Sequence, residues 1–104
     1  MNINPFEMLK NAQQIQQQMG AFQERLGTIQ AIGSSGGGMV EIELNGRMEV
    51  QQVRISPELV EGKDREMLQD LVAAAFNNAF EKIREAINRE MGALAGMGMP
   101  GFGS

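Results

Sequence analysis

Apolar residues recur every three or four positions along the first third of the chain. This seam consists of Met8, Ala12, Ile15, Met19, Phe22, Leu26 and Ile29. The alternating spacing is the heptad pattern of a helix that buries one stripe, and Asn4 followed by Pro5 is typical of a helix start. The pattern predicts a helical arm over about residues 4–31, about 40 Å long. So long a helix must project from a small fold or pair with another helix.

Glycine and serine replace the helical pattern in the segment GSSGGG, residues 33–38. The segment has the composition of a phosphate-binding loop, but no Gly-Lys-Ser/Thr sequence ends it and no predicted strand precedes it. We therefore interpret residues 33–38 as a flexible hinge.

The segment MVEIELNGRMEV alternates apolar and charged residues around Asn45-Gly46, which is the signal of a β-hairpin. A three-residue loop at 44–46, with Gly46 left-handed, keeps the apolar residues on one face. The predicted pairs are Ile42 with Met48 and Val40 with Val50. Residues 51–52 then form a bulge or lead into a third strand. The sheet is expected over about residues 39–55, with two or three antiparallel strands.

A second helical stripe predicts a long helix over about residues 64–93. Its members are Leu68, Val72, Ala75, Phe76, Ala79, Ile83, Ala86, Ile87 and Leu94. Three consecutive alanines, Ala73–Ala75, allow another element to approach closely. The Gly- and Met-rich residues 95–104 are expected to be a disordered tail. The sequence thus predicts one α+β domain over residues 1–94, with the order α-β-β-β-α.

Composition excludes several kinds of chemistry. The 104-residue chain has neither Cys nor His, so it has no disulfide, no thiolate metal site and no Ser-His or Cys-His pair. Asp64 and Asp70 do not have the spacing of a calcium loop. The start of the chain does not resemble a signal peptide, and no apolar run approaches the length of a membrane span. We expect a cytoplasmic, non-enzymatic protein that uses no cofactor or metal and does not enter a membrane.

Three stretches resemble the YbaB/EbfC family of bacterial nucleoid-associated proteins: LKNAQQIQQQM, GGGMVEIELNG and VRISPELVEGKDREMLQDLVAAAFNNAFEKI. The similarity covers about residues 5–90 in the same order, and the last stretch is the most specific. The resemblance implies a small antiparallel sheet flanked by two long helices, in a tweezer-like homodimer with projecting helical arms. It also implies binding to DNA with little or modest sequence preference.

The charge pattern limits where DNA could bind. The chain has nine basic and thirteen acidic residues and a net charge of −4, which disfavours phosphate over most of the surface. Acidic residues concentrate on the sheet and at the start of the second helix. If the two long helices pack antiparallel, Lys10, Arg84 and Arg89 meet at the tip of an arm. The DNA-binding candidates are Lys10, Gln13, Gln14, Gln17, Arg25, Lys82, Arg84 and Arg89.

A second set of residues is expected to form helix or dimer contacts: Ile15, Met19, Phe22, Leu26, Ala73, Ala74, Phe76 and Phe80. An alternative function uses the same surfaces. The heptad helix or the Met-rich tail could dock a partner protein, and an overall acidic surface is one argument for such an adaptor. The leading hypothesis is a homodimer that binds duplex DNA weakly and in a salt-dependent way.

Overall fold

The computed structural model describes residues 4–98, with side chains for residues 4–93. Its elements are α1 (Pro5–Thr28), β1 (Gln30–Ser35), a 3-10 turn (Gly36–Gly38), β2 (Val40–Asn45), β3 (Val50–Ile55), α2 (Pro57–Glu61) and α3 (Arg65–Gly98). The predicted α+β order of a long helix, an antiparallel sheet and a second long helix is confirmed. The last part of the expected tail, residues 99–104, lies outside the described residues.

The three strands form one antiparallel sheet in the order β1-β2-β3. Gly33 pairs with Ile42, which pairs in turn with Val53. The β2–β3 register shifts between Glu43 and Leu44, because their partners are Gln52 and Val50. Gln51 is therefore the extra residue of a bulge, within the segment where the sequence predicts one.

The connection between β2 and β3 corrects the predicted hairpin. Ile42 pairs with Val53 and Val40 with Ile55, so the predicted partners Met48 and Val50 are wrong. The loop spans residues 46–49, and Met48 rather than Gly46 is left-handed, with a φ of 62°. The buried Asn45 closes this loop: its Oδ1 accepts hydrogen bonds from the backbone N–H groups of residues 47 and 49, at 2.9 and 3.1 Å.

The predicted hinge is also wrong over its first half, because residues 33–35 belong to β1. A side chain on Gly33 would collide with the backbone of Ala75 and Ala79 in α3. Glycine at this position therefore allows a close approach of strand and helix, rather than flexibility. The true turn is Gly36–Gly38, where all three φ angles are positive, at 58°, 67° and 94°.

α3 covers one face of β1 and β2 and builds the core. The buried hydrophobic residues are Val40, Ile42 and Leu44 from β2, Leu59 from α2, and Ala75, Ala79 and Ile83 from α3. α3 also covers the free edge of β1, since Asn78 Oδ1 accepts a hydrogen bond from Ser34 N at 3.0 Å and Lys82 Nζ donates one to Ile32 O at 3.2 Å. β3 is different, because all six of its residues are exposed.

α1 projects from this core and buries none of its 24 residues. Ile15 and Met19 of the seam are 55% and 62% exposed. The helix joins the sheet at its last turn, where Gly46 N donates to Leu26 O at 2.9 Å and Ile29 O at 3.0 Å. The protein is consequently elongated, with principal extents of 71, 30 and 18 Å.

Candidate nucleic-acid interface

The face of α1 opposite the seam carries Lys10, Gln13, Gln14 and Gln17, all exposed. Asn4 caps this helix, and its Oδ1 accepts a hydrogen bond from Phe6 N at 3.0 Å. Between Met8 and Gln23 the helix has one cation, Lys10, and no acidic residue. This face therefore presents amide donors to solvent, with the carboxylates of Glu7 and Glu24 at the two ends of the stretch. Such donors make the positioning contacts that proteins use on a nucleic-acid backbone.

Two candidate cations meet where α1 ends. Arg25 Nε lies 3.7 Å from Glu90 Oε2 in α3. Arg89 lines a small cleft together with Thr28 and Ile29 at the end of α1. The structure thus brings Arg25 and Arg89 to the joint between the long helices.

Lys10 is not part of this group. It precedes Arg25 by fifteen residues of exposed helix, which is about 22 Å along the axis. The expected antiparallel packing of α1 along α3 is not formed within the protomer, because the seam that would make it is exposed. A tip cluster of Lys10, Arg84 and Arg89 is therefore absent from the part of the protomer that the structure describes.

The cations of α3 lie on two different flanks. Lys82 and Arg89 are two helical turns apart and share the flank that borders β1, where Lys82 contacts Ile32. Arg84 lies on the other flank, with its guanidinium carbon 4.9 Å from the centre of the Phe80 ring. That ring is 6.1 Å from the ring of Phe76. Arg84 thus borders an apolar surface, not the other cations.

The apolar surface beside Phe76 and Phe80 continues across β3, the strand that α3 does not cover. Val50, Val53 and Ile55 of β3 point to the α3 side of the sheet, in register with the buried residues of β2, yet they are 37–49% exposed. With Ala73 and Phe76 of α3 they form what we call the open face. Phe80, half-buried, lies at its inner border. Ala74 faces solvent on the far side of α3, and Leu26 is half-buried at the joint.

Acidic side chains lie mostly away from α1. The segment with the highest acidic excess, residues 57–70, lies at the end of the sheet where Gly36 contacts Leu71. Glu41 and Glu43 lie on the face of β2 opposite the core, and Glu41 pairs with Arg54 at 3.3 Å. Phosphate would meet less repulsion beside α1 than beside residues 57–70.

Sequence reasoning did not predict where Arg47 lies. It lies in the β2–β3 loop, its Nε is 3.5 Å from Glu49 Oε1, and its guanidinium contacts Gly27 of α1. The Asn-Gly turn signal beside it indicated a hairpin but gave no indication of a contact with the distant helix.

Other chemistry finds little support in the described residues. No group of three or more His, Cys, Asp or Glu side chains in residues 4–93 could hold a metal ion. None of the helices in the described part of the chain is long and apolar enough to cross a membrane.

Comparisons with known proteins agree on the family. The family model described as the YbaB/EbfC DNA-binding family matches residues 1–99. A nucleoid-associated protein of Pelotomaculum thermopropionicum is 41% identical over 100 residues, 95% of each chain. One of Legionella pneumophila is 44% identical over 100 residues, covering 95% of this chain and 88% of that protein.

The fold has a known counterpart as well. The crystal structure of an uncharacterized protein from Helicobacter pylori matches with a TM-score of 0.69 at 24% identity, over 93% of this chain and all of the other. That similarity concerns the fold alone. The family model and the relatives go further, because they cover nearly the whole chain at over 40% identity. This chain belongs to the YbaB/EbfC DNA-binding family of nucleoid-associated proteins.

Proposed function

We propose that the protein is a non-enzymatic homodimer that binds duplex DNA with little sequence preference through its α1 arms. It would act at the cytoplasmic nucleoid, on DNA organisation or gene expression. Family membership supports DNA as the ligand. The observation that carries the arm assignment is the outer face of α1, which has no acidic residue from Met8 to Gln23 in a chain with a net charge of −4.

The chemistry of this face suits the phosphate backbone rather than base edges. Gln13, Gln14 and Gln17 are exposed amide donors that can reach phosphate and sugar oxygens. Arg25 and Arg89 would supply positive charge at the joint. The described residues contain no zinc site and no basic stripe of the kind that places side chains in a groove. Binding of this kind has low affinity, tolerates many sequences and weakens steeply with salt.

The dimer assignment rests on exposed apolar surface. The seam residues Ile15, Met19 and Phe22 and the open face lack a covering element within the described protomer. Neighbouring exposed apolar side chains of this kind are typical of an interface. A second copy offers the same surfaces in return, as a two-fold interface requires. Two copies would also double the number of phosphate contacts.

A salt-titrated binding measurement tests the DNA assignment. Fluorescence anisotropy of two unrelated 30-base-pair duplexes should give similar affinities near 50 mM salt and a large loss by 200 mM. Lys10→Glu should weaken binding to both. Arg65→Glu makes the same charge change at the acidic end of the protein and should have a much smaller effect. Equal losses would mean that net charge, and not the arm, governs binding.

Arg84 and Arg89 extend this test to α3. The triple variant K10E/R84E/R89E should abolish the shift of duplex DNA in a gel at low salt, without unfolding the protein. Wild-type binding by this variant would refute the assignment of these cations.

The assembly is tested separately by mass. Multi-angle light scattering should give twice the chain mass for the wild type, and Met19→Asp should reduce it by opposing burial of the seam. A monomer that captured a stoichiometric protein partner, and bound no DNA even at low salt, would favour the adaptor function instead.

A further inference from the structure

The direction of α1 is fixed at its last turn. Since the helix buries no residue along its length, nothing further toward its tip restrains it within the protomer. Leu26 O and Ile29 O accept hydrogen bonds from Gly46 N at 2.9 and 3.0 Å. Arg25 and Glu90 form a longer ion pair at 3.7 Å. The sheet therefore holds the arm through the β2–β3 loop, through the direct continuation of α1 into β1, and through Ile29, which packs against the core.

Arg47 of that loop lies across α1 at Gly27. A methyl group on Gly27 would collide with the guanidinium, whose Nη2 and Cζ are the nearest atoms. Arg47 is itself oriented by its neighbours: its Nε is 3.5 Å from Glu49 Oε1, and the same oxygen accepts a hydrogen bond from Asn45 Nδ2 at 2.9 Å. Asn45 is buried, so the chain of contacts connects the core to the surface of α1.

A small rotation at this joint is amplified along the helix. Residue 16 lies about 18 Å from Thr28 and Pro5 about 35 Å, at 1.5 Å per residue. A rotation of about 10° thus moves them by about 3 Å and about 6 Å. The second displacement approaches the distance between neighbouring phosphates of one strand, so the angle decides which phosphates an arm can reach.

We propose that Arg47, packed across Gly27, is a positioning residue that sets the angle between the α1 arm and the sheet. The side chain of Arg47 is 46% exposed, and exposed ion pairs contribute little to stability. Its effect is therefore on orientation more than on folding. The cation also lies beside the C-terminal end of a helix, where the dipole favours positive charge. The consequence for DNA rests on the function proposed above.

The chain offers a matched pair of glycines for a test without DNA. Gly27→Ala displaces the guanidinium, whereas Gly20→Ala in the same helix meets no atom within 4 Å. Both changes replace a helical glycine with a better helix former, although Gly27 is next to the last residue of the helix. Because the protein has no cysteine, spin labels can be attached at Gln16→Cys and Glu81→Cys, in labelled chains diluted with unlabelled ones. We expect Gly27→Ala to shift or broaden the label-to-label distance by about 3 Å or more, and Gly20→Ala to leave it unchanged.

A double-mutant cycle tests whether Gly27→Ala changes the arm angle through its contact with Arg47. Arg47→Ala should change the distance distribution as Gly27→Ala does. Adding Gly27→Ala to Arg47→Ala should then change nothing, because the methyl group enters space that the guanidinium has left. If the two effects add, or if Gly27→Ala matches Gly20→Ala, Arg47 does not set the arm angle. Unfolding transitions of all variants show whether the protein remains folded.

Binding to a 30-base-pair duplex separates positioning from direct contact. Positioning predicts that Gly27→Ala and Arg47→Ala each weaken binding about threefold to tenfold, although Gly27→Ala retains every charge. A loss confined to Arg47→Ala, with unchanged distances, would make Arg47 a direct phosphate contact and overturn the proposal. If no variant and no wild type bound DNA while the distances shifted as expected, the proposed function would fail and the positioning role would stand.

Discussion

The two long helices share an amphipathic pattern but use it in opposite ways. α3 buries Ala75, Ala79 and Ile83 completely against the sheet. α1, with a more regular apolar seam, buries nothing. Periodicity thus shows that a helix has an apolar face, and it does not show whether that face is covered within one chain or between two. In this protein the core depends on α3, while α1 is free to serve as contact surface.

The largest expected effect is on the free energy of unfolding, when one isoleucine on each long helix is replaced by alanine. Ile83→Ala should lower the free energy of unfolding by about 3–4 kcal/mol, through lost burial and a new cavity. Ile15→Ala should cost less than about 1 kcal/mol at low protein concentration, because this side chain is largely exposed in the protomer. Urea denaturation followed by circular dichroism measures both. Equal losses at low concentration would mean that α1 packs on its own chain.

Two glycine-to-alanine changes should alter stability by somewhat smaller amounts and in opposite directions, one in the sheet and one in α1. Gly33→Ala should destabilise the protein by about 2–3 kcal/mol, because the new methyl group meets the backbone of Ala75 and Ala79, which cannot move aside cheaply. Gly20→Ala should instead stabilise α1 by about 0.5–1 kcal/mol through helix propensity. Thermal unfolding of the two variants checks the sign. A stable Gly33→Ala protein would contradict the close packing of β1 on α3.

The outer face of α1 can be tested through its amides. Changing Gln13, Gln14 and Gln17 together to Glu should reduce DNA affinity at least tenfold at low salt, about 1.4 kcal/mol, since three carboxylates would then face the phosphates. The same three residues changed to Ala keep the face neutral. Near-wild-type affinity of the alanine variant would mean that the amides only avoid repelling phosphate. A loss of affinity as large as that of the triple Glu variant would mean that the amides bind phosphate directly. Anisotropy titrations provide the affinities, and light scattering checks that the mass is unchanged.

The smallest effect concerns the cap of α1. Asn4→Ala removes the acceptor of the Phe6 N–H hydrogen bond and should cost about 1 kcal/mol of local helix stability. Hydrogen exchange should become faster in the first turn of α1 and stay unchanged in α3. Asn4→Ser retains a capping oxygen and serves as the control. Faster exchange in both helices would show that the arm and the core unfold together.

Much of the fold could be predicted from local signals. Asn4 and Pro5 correctly mark the start of α1, and the alternation of Val40, Ile42 and Leu44 correctly marks a strand with one buried face. These features depend on neighbouring residues, so their pattern is visible in the sequence.

The errors arose where distant residues decide the structure. Gly33 resembles a hinge residue in the sequence, yet it is a strand residue. Its neighbours there are Ala75 and Ala79 of α3, which follow it in the chain by more than forty positions. The hairpin error is a local exception: its register depends on the hydrogen bonds of the Asn45 side chain and on a left-handed Met48, which the Asn-Gly signal does not encode. The contact of Arg47 with Gly27 likewise joins two segments whose local patterns are unrelated. The angle of α1, and with it the separation of Lys10 from Arg89, follows from such contacts.

The two edges of the sheet have a consequence for the size of any assembly. Asn78 and Lys82 occupy backbone groups along the outer edge of β1, so that edge cannot accept another strand without displacing them. Within the described residues, β3 has β2 as its one strand neighbour and an open outer edge. Two copies that met through β3 would use up both open edges, and growth would stop there. In such a pair, the side chains of α3 would keep a further strand from adding at β1.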